Sequence, residues 1–361
     1  RKESSAASDV YKRQVFRHAL SCHDRHFAGQ ALRPFRHASS SSDLKMRVHS
    51  KTAVLAGLPF VFLAALPLLA PSLRSLATMA LAISFCALGL LLLLRAGQVS
   101  FGHALYFACG AYATAFGTRY VGADILVVII MSIVSSATLG AVLGLILCRY
   151  RDIFYAMLNL AFSMVGFTLV LKLYSLTGGS DGLTVRIDSV AGIPVDVERF
   201  GWTLFYLALV LLGLSLYAVT RYLSAPPGQA LSALKTNETR LEYLGISARQ
   251  VLYVGHIVSA ALAGLGGAIA AMGTGHVTPE MAYWSRSAEF VFIAVLGGIG
   301  NVFGALLGAL SFEAVRSAAS AYAANSWQLI MGLVLVAIVL FAPAGLLGLG
   351  RRLLVRKEVR Q

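Results

Sequence analysis

Charge is what this sequence has least of. Only 13% of its 361 residues are Asp, Glu, Lys or Arg, and 16 are acidic. A soluble domain carries ~25% charged residues, so a soluble enzyme and a nucleic-acid binder are both excluded. Cysteine is scarce too, at 4 residues, too few for a disulfide scaffold. Cys86, Cys109 and Cys148 fall inside apolar runs, where they read as small buried hydrophobes. Cys22, His23 and His26 have no metal-site spacing, so neither metal ligands nor catalytic residues are assigned. No G-x-x-x-x-G-K-[ST] occurs, which excludes ATP hydrolysis by a P-loop in this chain. Deep ionisable residues are sparse: Lys172, Glu289, Glu313, His103 and His256. Proton-coupled carriers place such groups in the membrane, so a self-powered secondary carrier is disfavoured.

What the chain has instead is apolar length. It is 58% hydrophobic, with runs of ~20 residues, enough to cross a bilayer. The net charge of +14 is unevenly spread: residues 1–51 hold 11 basic and 4 acidic residues. The segment 1–45 is polar, basic and rich in Ser and His. It reads as a non-native or disordered leader before a start at Met46, a transit peptide being the other reading. A transmembrane domain is expected over 46–350, with a polar loop at 224–250, and a basic tail over 351–361.

Membrane segments are expected at 52–70, 75–94, 103–117, 125–148, 153–174, 202–223, 251–273 and 327–347. The stretch 288–317 is too long for one ordinary helix and is interrupted by Gly297, Gly298, Gly300 and Asn301. Read as a pair, 288–298 and 302–317, it brings the total to about ten and keeps the basic tail inside. With that topology the positive-inside rule places 14 basic residues on the cytoplasmic side and 7 outside, counting from Arg47. The fold class is an all-α polytopic membrane protein with a Gly-broken helical pair. Non-helical backbone at membrane depth needs protein or a water-filled cavity to satisfy it, so the break is read as pointing to a pathway. Gly97-Gln-Val-Ser-Phe-Gly-His-Ala-Leu is echoed by Gly300-Asn-Val-Phe-Gly-Ala-Leu, and paired interrupted segments point to a transport site.

Three stretches carry a family resemblance. Gly97-Gln98-Val99-Ser100-Phe101-Gly102-His103-Ala104, followed by Gly110-Ala111-Tyr112, is the first. Tyr155-Ala-Met-Leu-Asn-Leu-Ala-Phe-Ser163, followed by Ser175-Leu-Thr-Gly-Gly-Ser-Asp-Gly-Leu183, is the second. Gly228-Gln-Ala-Leu-Ser-Ala-Leu, then Asn237-Glu238 and Leu244-Gly245-Ile246, is the third. Together these resemble branched-chain amino acid ABC transporter permeases of the LivM type, over roughly residues 46–352. Lys235-Thr236 departs from the more charged run such permeases show before Asn-Glu.

The resemblance implies a permease subunit of an importer for branched-chain or related amino acids in a bacterial inner membrane. Its implied partners are a second homologous permease, two ATP-binding subunits that carry the ATP, an extracytoplasmic substrate-binding protein, and membrane lipid. Nucleic acid is not among them. A urea or short-chain amide permease of the same broad family is the alternative. In the 224–250 loop, Pro226-Pro227-Gly228 reads as a helix stop, and 229–244 as one helix with Gly245 as its C-cap. Asn237, Glu238, Arg240, Glu242 and Gly245 are the expected ATPase-coupling residues, Glu238, Arg240 and Glu242 being otherwise solvated face charges. Gln98, Ser100, His103, Ser163, Thr177, Asp181 and Asn301 are candidates for the translocation path or substrate contact. For Asp181 the alternative is a turn-capping carboxylate.

Overall fold

The computed structural model describes residues 73–122, 124–187, 189–190, 193–194, 196–322 and 327–341, with 63, 64, 67, 345 and 346. The leader 1–45, all but three residues of the expected span 52–70, and the tail 351–361 lie outside the described residues.

Each apolar run of the described chain becomes a helix close to its expected limits. These are α1 (Arg74–Arg95), α2 (His103–Phe116), α3 (Ile125–Leu147), α4 (Asp152–Lys172) and α5 (Val197–Ser224). The loop helices α6 (Pro226–Leu234) and α7 (Glu238–Tyr243) follow. Then come α8 (Ala248–Thr274), α9 (Trp284–Gly297), α10 (Gly304–Tyr322) and α11 (Trp327–Phe341). Local chemistry sets the boundaries. Asp152 and Lys172 lie in the first and last turns of α4, the polarity a helix dipole favours. The Ser247 hydroxyl accepts the Gln250 N–H at 3.4 Å to open α8, and Gly275, at φ +69°, closes it. A left-handed residue there is a common helix end, and glycine adopts it without a Cβ clash.

Among the described residues, α1, α3, α4, α5 and α8 are long and apolar enough to cross a membrane. The total of about ten is not reached on that criterion. α2 and α9 have 14 residues each, ~21 Å at 1.5 Å per residue against a ~30 Å hydrocarbon core. α2 gains length because Gly117–Val121 continues it as a π-helical turn. Two small antiparallel pairs interrupt the all-α pattern. β1 (Leu183–Thr184) pairs with β4 (His276–Val277), and β2 (Ser189–Val190) with β3 (Ile193–Pro194).

α8 is the central helix, packed on α1, α2 and α3. Its small residues allow this: a Cβ on Gly267 would run into the Phe107 carbonyl, and one on Gly110 into the Gly264 backbone. Lipid supplies no hydrophobic drive between helices, so close backbone approach through small residues takes its place. α1 is the most enclosed helix, buried continuously from Ala80 to Leu94.

The cross-helix contacts sort by end. At the basic end, Arg95 donates to the carbonyls of Ile299 and Gly300 at 3.2 and 2.9 Å. Arg249 donates to the Leu145 carbonyl there at 2.9 Å. At the opposite end, the Arg74 guanidinium lies 5.2 Å from the Trp202 ring centroid, and β1 meets β4. Each contact joins residues that the charge count puts on one side. The glycine break therefore sits beside Arg95 at the basic end, its carbonyls satisfied by protein. Arg95 also immediately precedes the Gly97 turn, so the two echoed glycine stretches meet through this side chain.

Candidate docking loop and buried polar layer

The 224–250 loop is two helices, which corrects the single helix expected over 229–244. Pro226 and Pro227 follow the end of α5 at Ser224, as a helix stop should, and they also open α6. Proline fits a first helical turn, where its missing N–H has no partner to lose. The chain breaks again at 235–237, and Asn237 starts α7 as its N-cap, its Oδ1 accepting the Arg240 N–H at 2.9 Å. An Asn that caps a new helix in this way competes with continuation of the old one. Gly245, at φ +78°, ends α7. Its N–H bonds the Glu242 carbonyl at 2.9 Å and the Ile246 N–H the Leu241 carbonyl at 3.2 Å, the Schellman pattern.

Glu238 is not a solvated charge. Arg151 grips it with a guanidinium fork, Nη2 to Oε1 at 2.8 Å and Nε to Oε2 at 3.0 Å. Leu231 and Leu241 are buried beneath the two helices. Arg240 and Glu242 are exposed. Beside them Tyr243 is 87% and Leu244 72% exposed. The loop therefore presents a fixed tip with two large apolar side chains among charges.

α4 joins this loop to the bundle. Its buried residues are Tyr155, Asn159 and Ser163, one helical face at i, i+4, i+8. Its exposed residues include Ile153, Phe154, Met157, Val165 and Leu169. The helix is polar inward and apolar outward, an arrangement suited to lipid. The Tyr155 hydroxyl lies 2.7 Å from His256 Nδ1 and the Tyr106 hydroxyl 2.8 Å from His256 Nε2. One histidine of α8 thus links α2 and α4. Sequence reasoning missed Arg151, Tyr106, Tyr155 and His256 as a connected set; the one available signal was the four-residue spacing of Tyr155, Asn159 and Ser163.

The seven path candidates do not converge on one site; among them only Ser100 and His103 share a hydrogen bond. Gln98 is buried and its Oε1 accepts the Asp152 N–H at 2.8 Å, tying the turn before α2 to the start of α4. The Ser100 hydroxyl lies 2.9 Å from His103 Nδ1, whose Nε2 lies 2.6 Å from the Ser259 hydroxyl of α8. Ser163 donates to the Ala282 carbonyl at 2.8 Å. Thr177 is buried and donates to Val170 and Leu173 carbonyls at 2.6 and 2.9 Å. Asp181 is exposed, accepting from Tyr174 and Ser180 at 3.4 and 3.3 Å. Asn301 is exposed and accepts the Phe303 N–H at 3.2 Å. Residues 178–182 have the spacing G-x-S-x-G, yet Ser180 sits on a 3-10 turn that leads into the two-residue strand β1. A nucleophile elbow needs a strand-to-helix turn, so this spacing carries no hydrolase chemistry.

A bundle of membrane-length helices around a small-residue core is a multi-pass membrane protein. A family profile described as branched-chain amino acid transport system / permease component matches residues 72–340, and the chain belongs to that family. The permease protein LivM of Escherichia coli strain K12 is 28% identical over 277 residues, 71% of this chain and 65% of LivM. The Salmonella typhimurium LivM is 28% identical over 299 residues, 76% of this chain and 70% of the relative. The Salmonella typhimurium LivH is 26% identical over 199 residues, 52% of this chain and 62% of LivH. The chain thus spans about two thirds of the length of these relatives. No solved structure matches it.

Proposed function

We propose that this chain is the membrane permease subunit of an ABC importer for branched-chain or related amino acids in a bacterial inner membrane. A second homologous permease completes the pathway. Two ATP-binding subunits, which hold the ATP, dock at the basic end, and an extracytoplasmic binding protein delivers the amino acid to the other. Access alternates as the docked ATPases move α6 and α7. The observation that carries this reading is the exposed Tyr243–Leu244 tip on a helix pair fixed by Arg151 and Glu238. A short helix with apolar anchors is a form that seats in a groove of another protein. The tightly packed α8 core supports a path between two permeases rather than through this bundle alone. Of the path candidates, Asp181 is assigned to meeting an arriving ligand or binding protein, a reading its exposure supports. Gln98, Ser100 and His103 contribute by holding α1, α2, α4 and α8 in register.

The test is Glu238→Lys beside Gly245→Trp in the reconstituted assembly. Both variants are expected to insert normally and to lose transport-coupled ATP hydrolysis. Wild-type coupling in both would sink the docking role.

A further inference from the structure

The basic end of the bundle holds a cavity beside the docking loop. Its volume is ≈ 380 Å³, within the ordinary range of small-molecule sites. Three parts of the chain wall it: the turn after α1, the start of α4, and the junction of α6 with α7. Four of its lining residues are charged. Arg151 and Glu238 neutralise each other in the clasp at 2.8 Å. The Asp152 carboxylate and the Lys235 ammonium have no ion pair or hydrogen bond among the described residues.

The fold places both of these unpaired residues. Asp152 has φ +52°, the one non-glycine residue with positive φ among the described residues. Such backbone costs free energy and gathers at functional sites. The buried Gln98, which also lines the cavity, accepts the Asp152 N–H at 2.8 Å and holds it there. Lys235 is set by Gly97: a Cβ on that glycine would come within 3.2 Å of the lysine Cγ, so the lysine stem packs against the turn. The charge pattern then selects the ligand. A free anion would meet two carboxylates here, and a free cation two bases. A zwitterion suits both unpaired groups, and Leu234 and Ala96 supply apolar wall for a side chain.

We propose that this cavity is a cytoplasmic regulatory site for a free apolar α-amino acid, bound through its ammonium at Asp152 and its carboxylate at Lys235. The ligand ties the α6–α7 junction to α4 beside the clasp and restrains the loop, so accumulated amino acid slows its own import. A ligand shifts an equilibrium only by binding one state better. Asp152 and Lys235 meet that condition, because they sit on the two elements that loop movement separates. The regulation rests on the proposed function; the site rests on the cavity.

The assembled transporter in lipid nanodiscs provides the test, with ATP hydrolysis stimulated by binding protein already saturated at micromolar leucine. Raising free leucine to millimolar levels is expected to slow hydrolysis by about 5-fold, the low end of allosteric coupling. It is also expected to slow proteolysis within 225–247. The analogues 4-methylpentanoate and 3-methylbutylamine, which lack the ammonium or the carboxylate, are expected to do neither. Asp152→Asn and Lys235→Gln, each compared with its own rate before added leucine, are expected to lose both effects. Asparagine keeps the left-handed backbone, so the first change removes charge alone. The proposal is overturned if millimolar leucine leaves a stimulated wild type unslowed, or if either analogue acts as strongly as leucine. Slowing that persists in both variants places leucine elsewhere and overturns it too. If the loaded binding protein fails to stimulate the wild type at all, the functional reading falls. Protection of 225–247 then judges the site by itself, and its absence overturns the site.

Discussion

Replacing Glu238 by Gln isolates the clasp that fixes the loop helices to the bundle. Arg151 is 23% and Glu238 36% exposed, so the pair is neither buried nor free in water. Exposed ion pairs contribute about 0.2–1 kcal/mol, and hydrogen bonds to charged groups about 1.5–3 kcal/mol. Two fork bonds in partial contact with solvent fall between, at about 1–2 kcal/mol, a factor of about 5–30 in an equilibrium. Arg151 also donates to the carbonyls of Cys148 and Tyr150 at 2.8 and 2.9 Å. Its loss therefore disturbs the α3–α4 turn as well, and Glu238→Gln is the cleaner single change. The assay is limited proteolysis within 225–247 on wild type, Arg151→Gln, Glu238→Gln and the double variant, with transported amino acid per ATP as a second readout. Glu238→Gln is expected to raise the cleavage rate by about 5–30-fold. The double variant is expected to match Arg151→Gln, since each change removes the same bond. Fully additive effects would refute the clasp, and unchanged coupling in Glu238→Gln despite faster cleavage would refute its mechanical role.

Other consequences follow from the same geometry. His256→Leu leaves the Tyr106 and Tyr155 hydroxyls without their partner, at about 1–3 kcal/mol for each buried group; a thermal melt in detergent should fall. Adding Tyr106→Phe and Tyr155→Phe should recover much of that loss, and no recovery would show that the layer acts through packing alone. Gly245→Ala, at a site with φ +78° and open space around it, should cost about 1–2 kcal/mol from backbone conformation. Faster amide exchange confined to 238–246 is the readout. Gly267→Leu, which drives a side chain into the Phe107 backbone, should abolish recovery of folded protein by size-exclusion chromatography. Asp181→Ala removes only two long exposed hydrogen bonds and should leave the melt unchanged.

The helices were legible because lipid exposure makes long apolar runs unavoidable, and charges such as Arg95, Arg149 and Arg151 mark where a run leaves the membrane. Residues that the charge count puts on one side also meet in the structure, as Arg95 does the Gly300 carbonyl. The loop was half legible: Gly245 acts as the expected cap, but Leu231, Leu234, Leu241 and Leu244 keep helical spacing across a break. Asn237 was already in view as a coupling residue. Its capping role decides the break, and a periodicity reading gives that residue no weight. Burial was hardest to read. Tyr155, Asn159 and Ser163 turn inward although they are polar, because a membrane-facing surface reverses the inside-out rule of soluble proteins. Ser100 meets His103 three residues on, but the partners of Gln98 and His103 come from α4 and α8, 54 and 156 positions away. No local spacing encodes such pairs.

Reconstitution in proteoliposomes tests the central claim most directly. The chain, the homologous permease and the two ATP-binding subunits are incorporated together, with the binding protein outside, and uptake of labelled leucine is followed. Uptake that requires ATP and every one of these components is the expected result. Uptake by this chain alone, driven by an ion gradient and indifferent to ATP, would contradict the account.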